Sequence, residues 1–301
     1  MARNLLIAAT MFVVLTATSC DMDQARNAGP STAPTTTAQL STSTSPPSTT
    51  TTLGAVQDVV IRTRPTGMPQ RATLQIPSEP DASSMVVVLL HGAGSDRRSV
   101  AAIADAVAAM GVPVLNATWA FDAAGAEEAA ADGVCAVAYA NENASAWGAD
   151  PERVVVIGHS GGGHIGMLTA LSPGSFPGCD AASRTHVWAY LGMAGDPAAA
   201  TEKGNAYRFF SHDPDLLALM DNYSHVGGNP NLIARFVHGT ADQTVPIALT
   251  QAFHDALVSA GYDSEFVRIE GADHFDPIRP TTTAGRRVLE QVSLLMDSLK
   301  S

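Results

Sequence analysis

Three residues of this chain have the types and settings for nucleophilic chemistry: Ser160, Asp242 and His274. Ser160 stands in Gly158-His159-Ser160-Gly161-Gly162, directly after the apolar run Val154-Val155-Val156-Ile157 and before a helical pattern. A buried strand that breaks into small residues around one serine and then turns into helix reads as a G-x-S-x-G nucleophile elbow. A serine hydroxyl is a weak nucleophile, and the tight turn presents it above the sheet, where a neighbouring base can activate it. Asp242 follows the run Ile233 to Val237 in His238-Gly239-Thr240-Ala241-Asp242, and His274 follows Glu265 to Ile269 in Glu270-Gly271-Ala272-Asp273-His274. Nucleophile, acid and histidine therefore come in that chain order, each just past a strand, and the chemistry they can do together is acyl transfer. Asp273 and Glu270 are rival acids. Asp273, adjacent to His274, is badly placed to reach the far side of that imidazole, so Asp242 is the expected partner.

These loops need a scaffold that brings them to one edge. Val56 to Ile61 and Arg71 to Ile76 read as strands paired across the turn signal Arg64-Pro65-Thr66-Gly67. Met85 to Leu90, Val112 to Leu115, Val154 to Ile157, Val187 to Leu191, Ile233 to Val237 and Glu265 to Ile269 follow as strands. Between and after them, helical patterns run over Val100 to Val107, Gly125 to Asn143, His164 to Leu171, Pro246 to Ala260 and Thr283 to Leu299. The alternation predicts an α/β protein with a mostly parallel sheet of about eight strands and helices on both faces. Ligands bind such sheets beyond the carboxyl ends of the strands, where all three residues lie.

With those motifs in place, residues 56 to 299 resemble an α/β-hydrolase, and the acid and histidine phrases resemble the esterase and dienelactone-hydrolase-like branches. His91-Gly92-Ala93-Gly94, after the strand ending at Leu90, resembles the H-G-x-G oxyanion loop of that family, with Ala93 where many esterases carry a third glycine. The resemblance implies that the backbone N–H groups of Ala93 and Gly161 face the oxygen that becomes negative in the tetrahedral intermediate. It also implies a cap between Met193 and Leu232, here reduced to one short helix over Asp213 to Met220 and leaving a fairly open site. Trp119 and His159 are the expected substrate contacts; for Trp119 and Phe121, which follow the strand ending near Leu115, lining an acyl or alcohol pocket and an unrelated packing role are equally open. No cofactor is called for by this chemistry.

Other residues bound the reading. The pair His159 and His164 lacks the glutamate and the helical setting of a zinc motif, and Cys20, Cys135 and Cys179 match no zinc spacing, so no metal site is expected. A net charge of −12 excludes nucleic acid as a natural partner, since it leaves no basic surplus for phosphates. Arg3, the apolar run Leu5 to Val14 and small residues ahead of Cys20 make residues 1–19 an export signal. Leu15-Thr16-Ala17-Thr18-Ser19-Cys20 resembles a bacterial lipobox with Ala17 where leucine is preferred, which predicts a lipid on Cys20 and leaves ordinary cleavage as the alternative. Residues 20–54, rich in Thr, Ser and Pro, form a tether, and 55–301 the catalytic domain. Membrane contact is expected only through that lipid, and Cys135 with Cys179, on one side of the sheet in an exported protein, predicts a disulfide.

The leading expectation is a carboxylesterase acting on small-molecule or envelope esters through an acyl-serine. A peptidase, a polyester depolymerase and an envelope acyltransferase share the constellation. A non-catalytic surface binding module is the alternative from another class, and its expected mark would be a lost catalytic position.

Overall fold

The long apolar runs become the middle of one eight-stranded sheet. The computed structural model describes residues 53–79, 84–120, 125–172, 179, 185–198 and 214–299. The export signal, Cys20, Phe121, most of the tether and residues 199–213 of the expected cap lie outside them. The strands are β1 (Leu53–Thr63), β2 (Pro69–Pro77), β3 (Val86–Leu90), β4 (Val114–Ala117), β5 (Val154–His159), β6 (Ala189–Met193), β7 (Ile233–Gly239) and β8 (Asp263–Ile269). Their order across the sheet is β1-β2-β4-β3-β5-β6-β7-β8. β1 with β2 and β2 with β4 are antiparallel, and every other pair is parallel. The first strand begins at Leu53, two residues inside the stretch read as tether, because its pairing with β2 reaches Leu53 opposite Pro77.

Among the described residues six α-helices cover the sheet: α1 (Ala101–Ala108), α2 (Ala126–Asn143), α3 (Gly161–Leu171), α4 (Pro214–Met220), α5 (Ile247–Ser259) and α6 (Thr283–Ser298). The period of two in a strand divides each apolar run between two cores. Val86, Val88, Leu90, Val154 and Val156 face α2, α3, α4 and α5, where Ile165, Leu168, Met220 and Phe253 fill the layer. Val87, Leu89, Val155 and Ile157 face α1 and α6, whose Ile103, Val107, Val288, Val292 and Leu295 make the second core. Burial on both faces is what an uninterrupted run of β-branched residues requires, and it makes β5 a rigid mount for whatever follows it.

Two cross-links tie the outer layer down. Cys135 on α2 is bonded to Cys179, with Cα atoms 5.4 Å apart. Asp132, also on α2 and fully buried, holds Arg62 and Arg64 through Oδ1 and Oδ2, both at 2.7 Å. Glu128 is the second partner of Arg62. Asp132 Oδ2 also accepts from the Ala120 N–H at 2.8 Å, so one carboxylate joins β1, the turn after it, α2 and the loop after β4.

Candidate active site

At the end of β5 the chain turns through Ser160 with φ 53° and ψ −120°, a left-handed conformation that a non-glycine residue adopts only under constraint. The constraint is visible. The Ser160 N–H donates to the Met193 carbonyl at 3.1 Å, and the Ser160 carbonyl accepts from Gly163 and His164 as α3 begins. A Cβ on Gly158 would strike the Gly162 carbonyl, and one on Gly162 would strike the carbonyls of Leu90 and His91. The turn closes only with glycine at those two positions, and it leaves the Ser160 side chain partly accessible above the sheet.

Loops from β7 and β8 meet that hydroxyl. His274 Nδ1 lies 2.7 Å from Asp242 Oδ2, and a carboxylate only accepts, so Nδ1 carries the proton. Nε2 is then the acceptor, and the Ser160 hydroxyl donates to it at 2.9 Å. Asp242 Oδ1 accepts from the N–H groups of Thr244 at 2.7 Å and Val245 at 2.8 Å. Burial alone would raise the Asp242 pKa, but hydrogen bonds from His238, His274 and the Val245 N–H hold it well below the usual carboxylate range. Ser160, His274 and the ionised Asp242 therefore sit in one hydrogen-bonded line.

The loop after β3 runs beside the elbow. The Ala93 nitrogen lies 3.2 Å from where a Cβ on Gly161 would stand, so the two expected oxyanion residues are neighbours. Gly161 opens α3, and the first N–H of a helix has no partner inside it. The loop is braced from behind by Trp119, whose Nε1–H donates to the His91 carbonyl at 2.8 Å and whose ring stacks on His91 at 5.6 Å. Burial lowers the His91 pKa, against the opposing pull of its bond to Gly92, so the imidazole is a neutral part of the brace.

The two expected substrate contacts, His159 and Trp119, are both buried. His159 is 3% exposed, and its Nε2–H donates to the His274 carbonyl at 2.9 Å. Burial drives its pKa down to about 4, so it is a neutral prop under the His274 loop. Trp119 is also 3% exposed; it borders a cavity of about 470 Å³ with Arg64, Ser95 and Arg97, while its polar edge is committed to the His91 loop. Asp273 accepts from Phe275 and Asp276 N–H groups in a surface turn, and Glu270 is exposed. Neither rival acid takes the His274 imidazole in the way Asp242 does.

Sequence reasoning missed His238. It is fully buried, with Nε2 2.9 Å from Asp242 Oδ2, the same oxygen that His274 uses. Its place four residues before Asp242 was the available signal. Among the described residues no cluster of three or more His, Cys, Asp or Glu could hold a metal ion.

Comparison with known proteins falls on the same region. The BD-FAE family model matches residues 73–178, which run from within β2 through α3 and take in the His91–Gly94 loop and the turn at Ser160. A non-reducing polyketide synthase, mapC', from Penicillium brevicompactum is 31% identical over 101 residues, 32% of this chain and 5% of that protein. Esterase LipQ from Mycobacterium tuberculosis is 30% identical over 177 residues, 52% of this chain and 41% of that protein. The chain thus spans less than half the length of these curated relatives. A thermophilic esterase from Thermogutta terrifontis superposes with a TM-score of 0.67 at 19% identity, covering 84% of this chain and 94% of that one. The esterase 2 of that species phosphorylated by paraoxon superposes with a TM-score of 0.68 at 21% identity, covering 81% and 94%. With a mostly parallel eight-stranded sheet clothed by helices on both faces, and with that structural likeness, the chain has the α/β-hydrolase fold.

Proposed function

We propose that the chain is a serine hydrolase of carboxylic esters, working through an acyl-serine intermediate. The observation that carries this reading is the unbroken line of bonds from Ser160 through His274 to Asp242. As Ser160 Oγ attacks the ester carbonyl, its proton passes to His274 Nε2, and Asp242 stabilises the resulting imidazolium through Nδ1–H. The N–H groups of Ala93 and Gly161 take up the charge on the carbonyl oxygen, a contribution of about 3 to 4 kcal/mol for a single donor. His274 returns the proton to the leaving alcohol. Water then repeats the sequence on the acyl-enzyme, releasing the acid and restoring the serine. The likeness to esterases in both sequence and structure supports ester substrates.

Export and lipidation of Cys20 are part of the proposal, resting on residues 1–20 alone, and would place the substrates outside the cytoplasm. Paraoxon, which phosphorylates the Thermogutta esterase, is a direct probe. Intact-mass and peptide analysis should find one added phosphoryl group, on Ser160, together with loss of p-nitrophenyl acetate turnover; Ser160→Ala should accept no label. An active chain labelled elsewhere would defeat the assignment. An unmodified N-terminal Cys20 in the purified native protein would remove the lipid.

A further inference from the structure

We infer that His238 is a positioning residue for the Ser160–His274–Asp242 relay: its Nε2–H anchors Asp242 Oδ2, so that one carboxylate oxygen serves two imidazoles. The inference rests on the hydrolase reading above. His238 closes β7, and its side chain is wholly inaccessible. Nε2 lies 2.9 Å from Asp242 Oδ2 and 3.1 Å from the Val245 carbonyl. Both partners only accept, so Nε2 carries the proton. Nδ1 faces the Thr250 hydroxyl of α5 at 2.8 Å, and that hydroxyl also reaches the Gly195 carbonyl at 3.2 Å. The ring is thereby fixed between α5 and the acid loop, with the shorter of its two Nε2 contacts going to the oxygen that orients His274.

A role confined to tying the loop needs only the bond to Val245. The bond to Oδ2 does something else: with two imidazole N–H groups on Oδ2 and two backbone N–H groups on Oδ1, the carboxylate cannot rotate, and its charge is divided between His238 and His274. The titratable groups facing His238 are Asp242 on its own loop and His159 at the end of β5, while His274, on the loop after β8, shares Asp242 Oδ2 with it. Thr250 and Gly195 add none. Removing the His238 donor concentrates the carboxylate charge on the bond to His274 and favours its imidazolium. The acid limb of kcat/KM then moves to higher pH, because His274 must be neutral to accept the serine proton.

Two substitutions in the full chain separate this role from packing. In His238→Gln an amide N–H at the ε position still reaches Asp242; in His238→Asn the side chain ends short of Asp242 and keeps only the Thr250 side. The glutamine variant should stay within about threefold of the parent kcat on p-nitrophenyl acetate. The asparagine variant should lose about tenfold in kcat at little change in KM, with its acid limb about half a pH unit higher. Equal kcat in the two variants, or an unmoved acid limb in the asparagine variant, overturns the inference. The low-field proton resonance of His274 Nδ1–H reads the same bond without turnover: it should shift in the asparagine variant and not in the glutamine variant, and an unshifted resonance also overturns it. If the asparagine variant does not fold, His238→Leu, which has no donor at the ε position, replaces it with the same expectations. A parent chain that hydrolyses no ester sinks the hydrolase reading instead, and the resonance then decides the role of His238.

Discussion

Asp242→Asn changes one atom and should remove nearly all turnover. The carboxylate takes four hydrogen bonds: Oδ1 accepts from Thr244 and Val245 N–H at 2.7 and 2.8 Å, and Oδ2 from His274 and His238 at 2.7 and 2.9 Å. An asparagine has one oxygen for these two pairs of donors. If that oxygen stays with the backbone, the amide NH2 meets His274 Nδ1–H, and the contact is relieved when His274 moves its proton to Nε2. Nε2 then points a hydrogen at Ser160 Oγ and no longer takes the serine proton. The opposite orientation sets the NH2 against two fixed backbone N–H groups. Loss of the working tautomer in such a triad costs about 10⁴-fold in kcat, about 5.5 kcal/mol of barrier. The assay is kcat on p-nitrophenyl acetate, with the rate of paraoxon phosphorylation as a measure of the first step alone. Asp273→Asn, on an exposed turn, is the control and should change kcat less than about twofold. A Asp242→Asn variant within about tenfold of the parent, or an equal loss in both variants, would refute the assignment of Asp242 as the orienting acid.

Three further outcomes follow from burial. Asp132→Asn takes the carboxylate from Arg64 and leaves Arg62 with Glu128, the two side chains being only 13% and 10% exposed, and should lower unfolding free energy by about 3 kcal/mol in urea titration; a loss under about 1 kcal/mol would mean that Glu128 or water already serves those guanidinium groups. His159 and His164 are each held down to about 4 by burial, so on acidification the unfolded chain takes up their protons first. Stability should therefore fall between about pH 6.5 and 4, by about 1.4 kcal/mol per pH unit for each histidine, and a flat urea midpoint over that window would contradict their burial as neutral rings. Cys135→Ser opens a loop with ends 44 residues apart in sequence, worth about 4 kcal/mol of chain entropy, so thermal unfolding should come earlier and become indifferent to reductant. A parent protein equally indifferent to reductant would show that the bridge does not form.

Much of the scaffold was legible because its signals are local. The run Val154 to Ile157 carries its own two-faced burial, and Gly158 and Gly162 carry the space that the turn requires. Strand ends could be read within a few residues; β1 and β2 run longer than their apolar patterns because pairing, not hydropathy, ends a ladder. The sheet order could not be read, since β4 lies between β2 and β3 through crossovers that leave no mark in either strand. The direction of the His159 ring could not be read for a related reason: alternation at the end of a strand sends neighbouring side chains to opposite sides, and the ring turns inward under the His274 loop.

The sequence by itself determined which residue types meet at the site: a serine at a glycine-flanked turn, an acid and a histidine after later strands, and a small-residue loop upstream. Residue type and position after a strand suffice for that, because strands mounted in parallel deliver their following loops to one edge. Only the tertiary structure decided how the site is held. His238 on the acid's second contact, His159 beneath the base, Trp119 behind the oxyanion loop and Asp132 joining Arg62, Arg64 and Ala120 are meetings of ring and carboxylate atoms within 3 Å or so. Most of these partners stand 12 to 115 positions apart, and their contacts depend on how helices and loops settle on the sheet, which no local pattern records.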